Sequence, residues 1–219
     1  MRTIRLLSLV MSACLWHAIV RAQSPVDTAS VHKQDLVEVV QLDSTIMTDI
    51  RYATEDNFMK RKMYSQARAF LARPAALALV RVNHSLRAQG YGLVLFDGYR
   101  PWSITKEFWD ETPPDKRAFV ADPKQGSKHN RGCAVDLSLY DLRTGKEVEM
   151  TSPYDEFSER ASPDYKGGTA VQRKTREILR SAMEAEGFTV NQGEWWHFDY
   201  RDWEKYPIMD VKFEEIKGR

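Results

Sequence analysis

Ser127-Lys128-His129-Asn130-Arg131-Gly132-Cys133-Ala134-Val135-Asp136 carries a histidine and an aspartate seven residues apart, with a glycine between them. That spacing is too long for one helical turn and of odd parity for a strand, in which residues seven apart face opposite sides. A turn or bulge must therefore stand between His129 and Asp136, and Gly132 is placed to allow it. From Gly132 onward, Cys133-Ala134-Val135 leads into Asp136-Leu137-Ser138-Leu139 with the small and β-branched residues of a strand, and Asp136 falls inside it. The same parity problem recurs about sixty residues on in Glu194-Trp195-Trp196-His197. Glu194 is assigned to the turn marked by Asn191-Gln192-Gly193, and Trp196-His197-Phe198 begins a strand.

The residue types in these two segments are those of an open metal site. A catalytic zinc takes three protein ligands from His, Asp or Glu at ~2.0–2.2 Å and leaves its fourth tetrahedral position to water. His129, Asp136 and His197 supply such a set, and Glu194 adds a carboxylate able to act as a base. A solitary histidine is usually a surface or satisfied core residue, and His32 and His84 are read so. Trp195 and Trp196, taken by themselves, are core residues.

Working outward, Leu36-Val37-Glu38-Val39-Val40 and Ile46 to Tyr52 read as early strand and turn. Pro74 opens a helix at its favoured first position, and Leu79, Val82 and Leu86 recur on one face until Gly90. Leu93-Val94-Leu95-Phe96 is a short buried strand that delivers Asp97 and Arg100 at its C-terminal end. Trp102 to about Glu111 is helical and is closed by Pro113-Pro114. Arg143-Thr144-Gly145-Lys146 reads as a hairpin turn joining the Asp136 strand to the next. Pro153 to Gly168, rich in Pro, Gly and charge, reads as a surface loop able to cover the site. Val171, Thr175, Ile178, Leu179, Ala182 and Met183 form a helical stripe ended by Gly187, and Phe188-Thr189-Val190 leads back to Glu194. Strands between separated helices with hairpin-like joins indicate an α+β single domain.

Taken together, Asp97-Gly98-Tyr99-Arg100-Pro101, the pattern Ser127-x-His129-x-x-Gly132-x-Ala134-x-Asp136, and Glu194-Trp195-Trp196-His197 resemble the zinc-dependent D-alanyl-D-alanine dipeptidases of the VanX type. Tyr52-Ala53-Thr54 with Asp56-Asn57-Phe58 resembles that family's N-terminal segment, so the likeness runs from about residue 36 to about residue 206. The resemblance implies one zinc per chain on His129, Asp136 and His197, with Glu194 as general base and acid and Arg100 as stabiliser of the transition state. It implies Ser127, Tyr52 and Asp155 as substrate contacts, Asp155 pairing with the dipeptide's ammonium. It also implies a small, mainly antiparallel sheet flanked by helices, the fold shared with hedgehog signalling domains and D,D-peptidases. Asp97 is the obvious salt-bridge partner of Arg100. Cys133 stands where the family has another small residue; in strand order it faces away from Asp136 and is read as packing.

Two other functions use the same residues. One is a zinc D,D-carboxypeptidase or endopeptidase that trims peptidoglycan stems, and the other is a non-catalytic zinc-binding recognition module, against which Glu194 speaks.

Met1-Arg2-Thr3-Ile4-Arg5 is basic, Leu6 to Val20 is almost wholly apolar, and Val20-Arg21-Ala22 has small residues where a signal peptidase reads. Residues 1–22 are expected to be a signal peptide and 23–219 the enzyme domain, placing the protein in the periplasm. The apolar run is short of the ~20 residues needed to span a bilayer, so no permanent membrane span is expected. It also continues past Cys14, which argues against lipoprotein anchoring there. Cleavage takes Arg2, Arg5 and Arg21 from the 32 basic side chains and none of the 31 acidic ones, leaving a formal charge of −2. Nothing in that balance favours nucleic acid, and the partner the resemblance implies is a small dipeptide substrate. Cys14 leaves with the signal and Cys133 has no partner, so the domain needs no disulfide although its compartment is oxidising.

Overall fold

The computed structural model describes residues 25–27 and 35–216; the expected signal peptide, Cys14 and His32 lie outside them. Among the described residues the elements run β1 (Leu36–Glu38), α1 (Val39–Leu42), β2 (Met47–Thr48), β3 (Phe70–Ala72), α2 (Arg73–Arg87), β4 (Tyr91–Asp97), α3 (Trp102–Glu111), β5 (Ala134–Asp141), α4 (Ala170–Ala185), β6 (Phe188–Asn191) and β7 (Glu194–Tyr200). A five-stranded sheet has the order β2-β4-β5-β7-β6, antiparallel except where β2 runs parallel to β4, and β1 pairs with β3 as a separate antiparallel ribbon. This is the α+β, mainly antiparallel single domain expected. None of its described helices is long and apolar enough to cross a membrane.

Alternation along β5 divides the sheet into two faces. Val135, Leu137 and Leu139 turn to one side, where Leu79, Val82 and Leu86 of α2 and Leu179 and Met183 of α4 complete a fully buried cluster. Asp136 therefore points to the other side. Pro74 is the second residue of α2, one place later than expected, and α4 opens on a capping box between Thr169 and Gln172. Cys133 is fully buried in the core, and burial pushes its thiol up to about 12, as fits a packing residue.

Several boundaries differ from the sequence reading. The first strand stops at Glu38, because the chain turns into α1 and Asp43 N–H closes on the Val39 carbonyl at 3.1 Å. Directly past the Arg143–Lys146 turn there is only a single bridge between Tyr140 and Glu147, and β5 lies between β4 and β7 instead of pairing with a hairpin partner. Val171 belongs to no buried stripe, since at the start of α4 it is 72% exposed. Glu194 is the first residue of β7 and not part of the preceding turn.

Candidate metal centre and cleft

Register places the site across three adjacent strands. Asp136 on β5 lies directly opposite His197 on β7, so their side chains share a face. On the other flank the β4–β5 register slips by one between Leu95 and Asp97, and Phe96 is the extra residue. Without that bulge Phe96 would oppose Asp136; with it, Asp97 does. A second slip, between Val190 and Asn191, pairs Asn191 with Glu194 and leaves residues 195–197 outside the β6–β7 ladder. This is how Glu194 and His197, three apart, come to the same side.

His129 arrives from a short 3₁₀ turn, His129–Arg131, that ends on Gly132 in the left-handed conformation at φ 66°. A β-carbon at Gly132 would stand 2.7 Å from Leu36 Cδ2 and 2.9 Å from the Ala72 backbone nitrogen, so the turn requires glycine on both counts. Asn130, fully buried, braces this turn: its amide donates to the Arg100 carbonyl at 2.9 Å and to Thr105 Oγ1 at 2.8 Å, and its Oδ1 accepts from Ser127 N–H at 2.7 Å.

Three atoms then converge. His129 Nε2 is 3.1 Å from His197 Nδ1, His129 Nε2 is 3.3 Å from Asp136 Oδ1, and His197 Nδ1 is 3.1 Å from the same oxygen. Their outward partners assign the tautomers: His129 Nδ1 faces the Gly98 carbonyl at 2.7 Å and His197 Nε2 faces Asp199 Oδ1 at 2.9 Å, so each ring turns a lone pair inward. Asp136 Oδ1 is buried without a hydrogen-bond partner, while Oδ2 is taken by Tyr154 Oη at 3.0 Å. Three electron-pair donors set this way are suited to share one cation. Ligands at ~2.0–2.1 Å from one tetrahedral ion stand about 3.3 Å apart, which the observed edges nearly match. His129, Asp136 and His197 thus form a group able to hold a metal ion.

The electrostatics agree. Burial opposes a charge on His197, yet the Asp136 and Asp199 carboxylates beside its two nitrogens outweigh that and lift its pKa to about 10, so that without a metal ion a proton would take the inward nitrogen. Burial likewise opposes ionisation of Asp136, but His129 and His197 hold it well below the ordinary carboxylate range. The cluster is built to receive positive charge. Glu194 Oε2 lies 3.6 Å from His197 Nδ1, and burial, joined by the charge of Asp136, raises its carboxyl above the usual value against the pull of His197, His129 and Arg100.

Arg100 is held from both sides. Its Nε and Nη2 donate to Asp97 Oδ2 at 3.0 and 2.8 Å, the expected pairing, and its guanidinium lies 4.8 Å from the Phe108 ring centroid and 5.2 Å from that of Tyr52. Asp97 Oδ1 is fixed in turn by Tyr64 Oη and Gly98 N–H, each at 2.8 Å. Nη2 lies 3.9 Å from Asp136 Oδ2, which puts the guanidinium beside the metal-ligand group.

All eight sequence-predicted residues line one cleft of about 520 Å³: Tyr52, Arg100, Ser127, His129, Asp136, Asp155, Glu194 and His197. Tyr52 and Asp155, 103 residues apart, are hydrogen-bonded through Tyr52 Oη and Asp155 Oδ1 at 3.1 Å. Asp155 Oδ2 is enclosed and has no partner, and burial with the like charges of Asp136 and Glu194 holds its pKa well above normal. Ser127 Oγ accepts from His129 N–H at 3.2 Å, keeping its own hydrogen to donate. The 153–168 segment lies over the site as expected: Asp155 and Phe157 line the cleft, and Tyr154 reaches Asp136 beside them. Sequence reasoning missed Tyr154, Asn130 and Asp199. Asp199 carried a usable signal, standing two residues after His197 on one strand face; Tyr154 and Asn130 carried none.

A family model for peptidase family M15, described as D-ala-D-ala dipeptidase, matches residues 32–216. Curated proteins named D-alanyl-D-alanine dipeptidase resemble the chain over most of their length. That of Escherichia coli is 30% identical over 179 residues, covering 82% of this chain and 91% of its own. That of Enterococcus faecium is 37% identical over 180 residues, covering 73% and 87%. That of Enterococcus faecalis is 36% identical over 186 residues, covering 75% and 90%. A solved structure described as the D,D-dipeptidase VanXYg with a D-Ala-D-Ala phosphinate analogue aligns with 60% of this chain and 51% of its own, at 23% identity and a TM-score of 0.40.

Proposed function

This chain belongs to the D-ala-D-ala dipeptidase family of peptidases, and from that premise we propose that it is a zinc enzyme hydrolysing free D-alanyl-D-alanine to two D-alanines. The observation that carries the reading is the convergence of His129 Nε2, Asp136 Oδ1 and His197 Nδ1 within 3.3 Å of one another, beneath the carboxylate of Glu194.

Zinc bound by these three side chains would supply a water of lowered pKa and a Lewis acid for the scissile carbonyl. Glu194 takes the proton of the attacking water and later gives it to the leaving amine, a task suited to a carboxyl whose pKa burial has raised. Arg100 meets the negative charge that grows on the carbonyl oxygen. Because Asp97 already orients the guanidinium, little reorganisation is needed as the charge develops. Tyr154 donates to Asp136 Oδ2, which leaves Oδ1 as the oxygen that would face a bound ion. Asp155 pairs its vacant Oδ2 with the substrate's ammonium, while Tyr52 fixes the other oxygen and Ser127 offers a hydrogen nearby.

Pairing with an ammonium favours a free dipeptide over a longer stem, whose corresponding nitrogen is an uncharged amide. The apolar N-terminal run supports export, and the reaction is accordingly assigned to the periplasm. The test offers zinc-loaded protein free D-Ala-D-Ala beside a stem pentapeptide. Release of D-alanine from the dipeptide alone is expected; cleavage of the pentapeptide in preference would replace this reading with that of a D,D-carboxypeptidase.

A further inference from the structure

The two histidines of the cluster are supported differently. His129 Nδ1 rests on a backbone carbonyl, whereas His197 Nε2 rests on the Asp199 carboxylate at 2.9 Å. Asp199 does not stand alone: its Oδ2 receives Lys128 Nζ at 3.0 Å, and that ammonium lies 5.2 Å from the centroid of the Trp203 ring. Asp199 follows His197 by two positions on β7, so both side chains lie on one face. Lys128 immediately precedes His129. One line of contacts, Trp203 to Lys128 to Asp199 to His197, therefore ties the segment bearing one metal-binding histidine to the strand bearing the other.

We propose that Asp199 is a positioning residue for the metal: it holds His197 with its proton on Nε2 and its Nδ1 lone pair turned into the cluster, and Lys128 holds Asp199 in place. This rests on the zinc reading of the site above. A rotated His197 ring would present a different nitrogen at a different distance, so a free imidazole spends part of its time unable to bind. A carboxylate on the outward N–H removes that freedom and makes the inward nitrogen more basic. Partners of this kind are typically worth ~10–100-fold in metal affinity or activity. Lys128 has a side chain 37% exposed, and the loss of so open a charge changes affinity by no more than about fivefold.

The experiment measures the zinc dissociation constant of the full chain by competition with a chromophoric chelator, for wild type, Asp199→Ala, Asp199→Asn and Lys128→Met. It also records the visible spectrum of the cobalt-substituted forms. Asp199→Ala is expected to weaken zinc by about 10–100-fold and to shift the cobalt bands. Asp199→Asn, which keeps an acceptor but no charge, should fall between it and wild type, and Lys128→Met should show the smallest loss. Shifted cobalt bands separate repositioning of a ligand from a general loss of stability. Wild-type zinc affinity in either folded Asp199 variant overturns the inference. A wild-type chain that binds no zinc would instead overturn the metal reading itself.

Discussion

Replacing Asp155 by Asn should move stability and substrate affinity in opposite directions. Asp155 adopts a left-handed φ of 59°, a conformation Asn tolerates as well as Asp, and the Asn carbonyl can still accept from Tyr52 Oη. What the substitution removes is charge on Oδ2, which is buried without a partner. Burial raises the Asp155 pKa well above 3.8, with Asp136 and Glu194 adding to the rise and Tyr52 and Arg100 opposing it. Ionisation therefore favours the unfolded chain. The penalty is absent below the unfolded value, sets in as pH rises through it, and is complete above the folded value. An unsatisfied buried group costs ~1–3 kcal/mol, and a charged one more. Asn leaves an uncharged group unsatisfied in the same place and removes only the charge-dependent part, so metal-free Asp155→Asn should exceed wild type at pH 8 in urea unfolding by about 1 kcal/mol or more, the gap closing as pH falls toward 4. With zinc and D-Ala-D-Ala, loss of a charge-assisted bond worth ~1.5–3 kcal/mol should raise KM about 10- to 150-fold. Equal stability at pH 8 would mean that the carboxylate finds a partner within the folded chain. An unchanged KM would mean that the substrate's ammonium binds elsewhere.

Glu194→Ala should retain zinc by metal analysis while hydrolysis falls by ~10²–10⁴, the usual worth of a positioned base; normal turnover would remove Glu194 from the mechanism. Arg100→Lys cannot reproduce the two bonds from Nε and Nη2 to Asp97, so kcat should drop by ~10²–10³ with metal content unchanged. A variant with wild-type kcat would reduce Arg100 to a structural ion pair. Gly132→Ala meets both a left-handed backbone, costing about 1–2 kcal/mol, and the close approach to Ala72 N, whose hydrogen bond to the Gly132 carbonyl measures 2.8 Å. Thermal unfolding should show a loss of at least that size, and an unaltered melting temperature would contradict the assigned turn.

Most helices and the central strand were legible because they depend on local chemistry. Pro74 and the apolar spacing of Leu79, Val82 and Leu86 mark α2, Pro113-Pro114 bound α3, and the run from Ala134 marks β5. The gathering of His129, Asp136 and His197 into one candidate metal group was legible from residue type, and parity announced the breaks that allow it: a seven-residue gap and a three-residue gap each required an interruption of regular structure. The nature of the breaks was not. Phe96 reads as an ordinary strand residue, and only the register against β5 makes it the inserted residue that brings Asp97 opposite Asp136. Glu194 looked like a turn residue because Gly193 precedes it; its place in β7 follows from the pairing with Asn191, which no short-range pattern encodes. Val171 failed for a related reason, since helical periodicity places a residue on a face but does not say where along α4 the sheet ends.

The loop over the cleft also shows where the fold gives up stability for its site. Arg176 of α4 is only 7% exposed and has no carboxylate within salt-bridge distance among the described residues. Its guanidinium instead reaches Thr151 Oγ1 at 3.2 Å and the carbonyls of Ser162 and Tyr165 at 3.4 and 3.0 Å, while its Nε is buried and unsatisfied. A buried cation held only by neutral oxygens is costly, and desolvation accordingly lowers its pKa. What this arrangement secures is the segment between Thr151 and Tyr165, which carries Tyr154 onto Asp136 and Asp155 into the cleft. The segment docks through Tyr154 on Phe96 and Trp196, Phe157 on Phe119 and buried Ala161, and the bonds from Arg176 add a polar attachment at its far end. A left-handed Asp155, its orphaned oxygen and, on α4, an Arg176 without a carboxylate partner all meet at this loop, and each departs from local rules where the loop must be ordered for the cleft to have a wall.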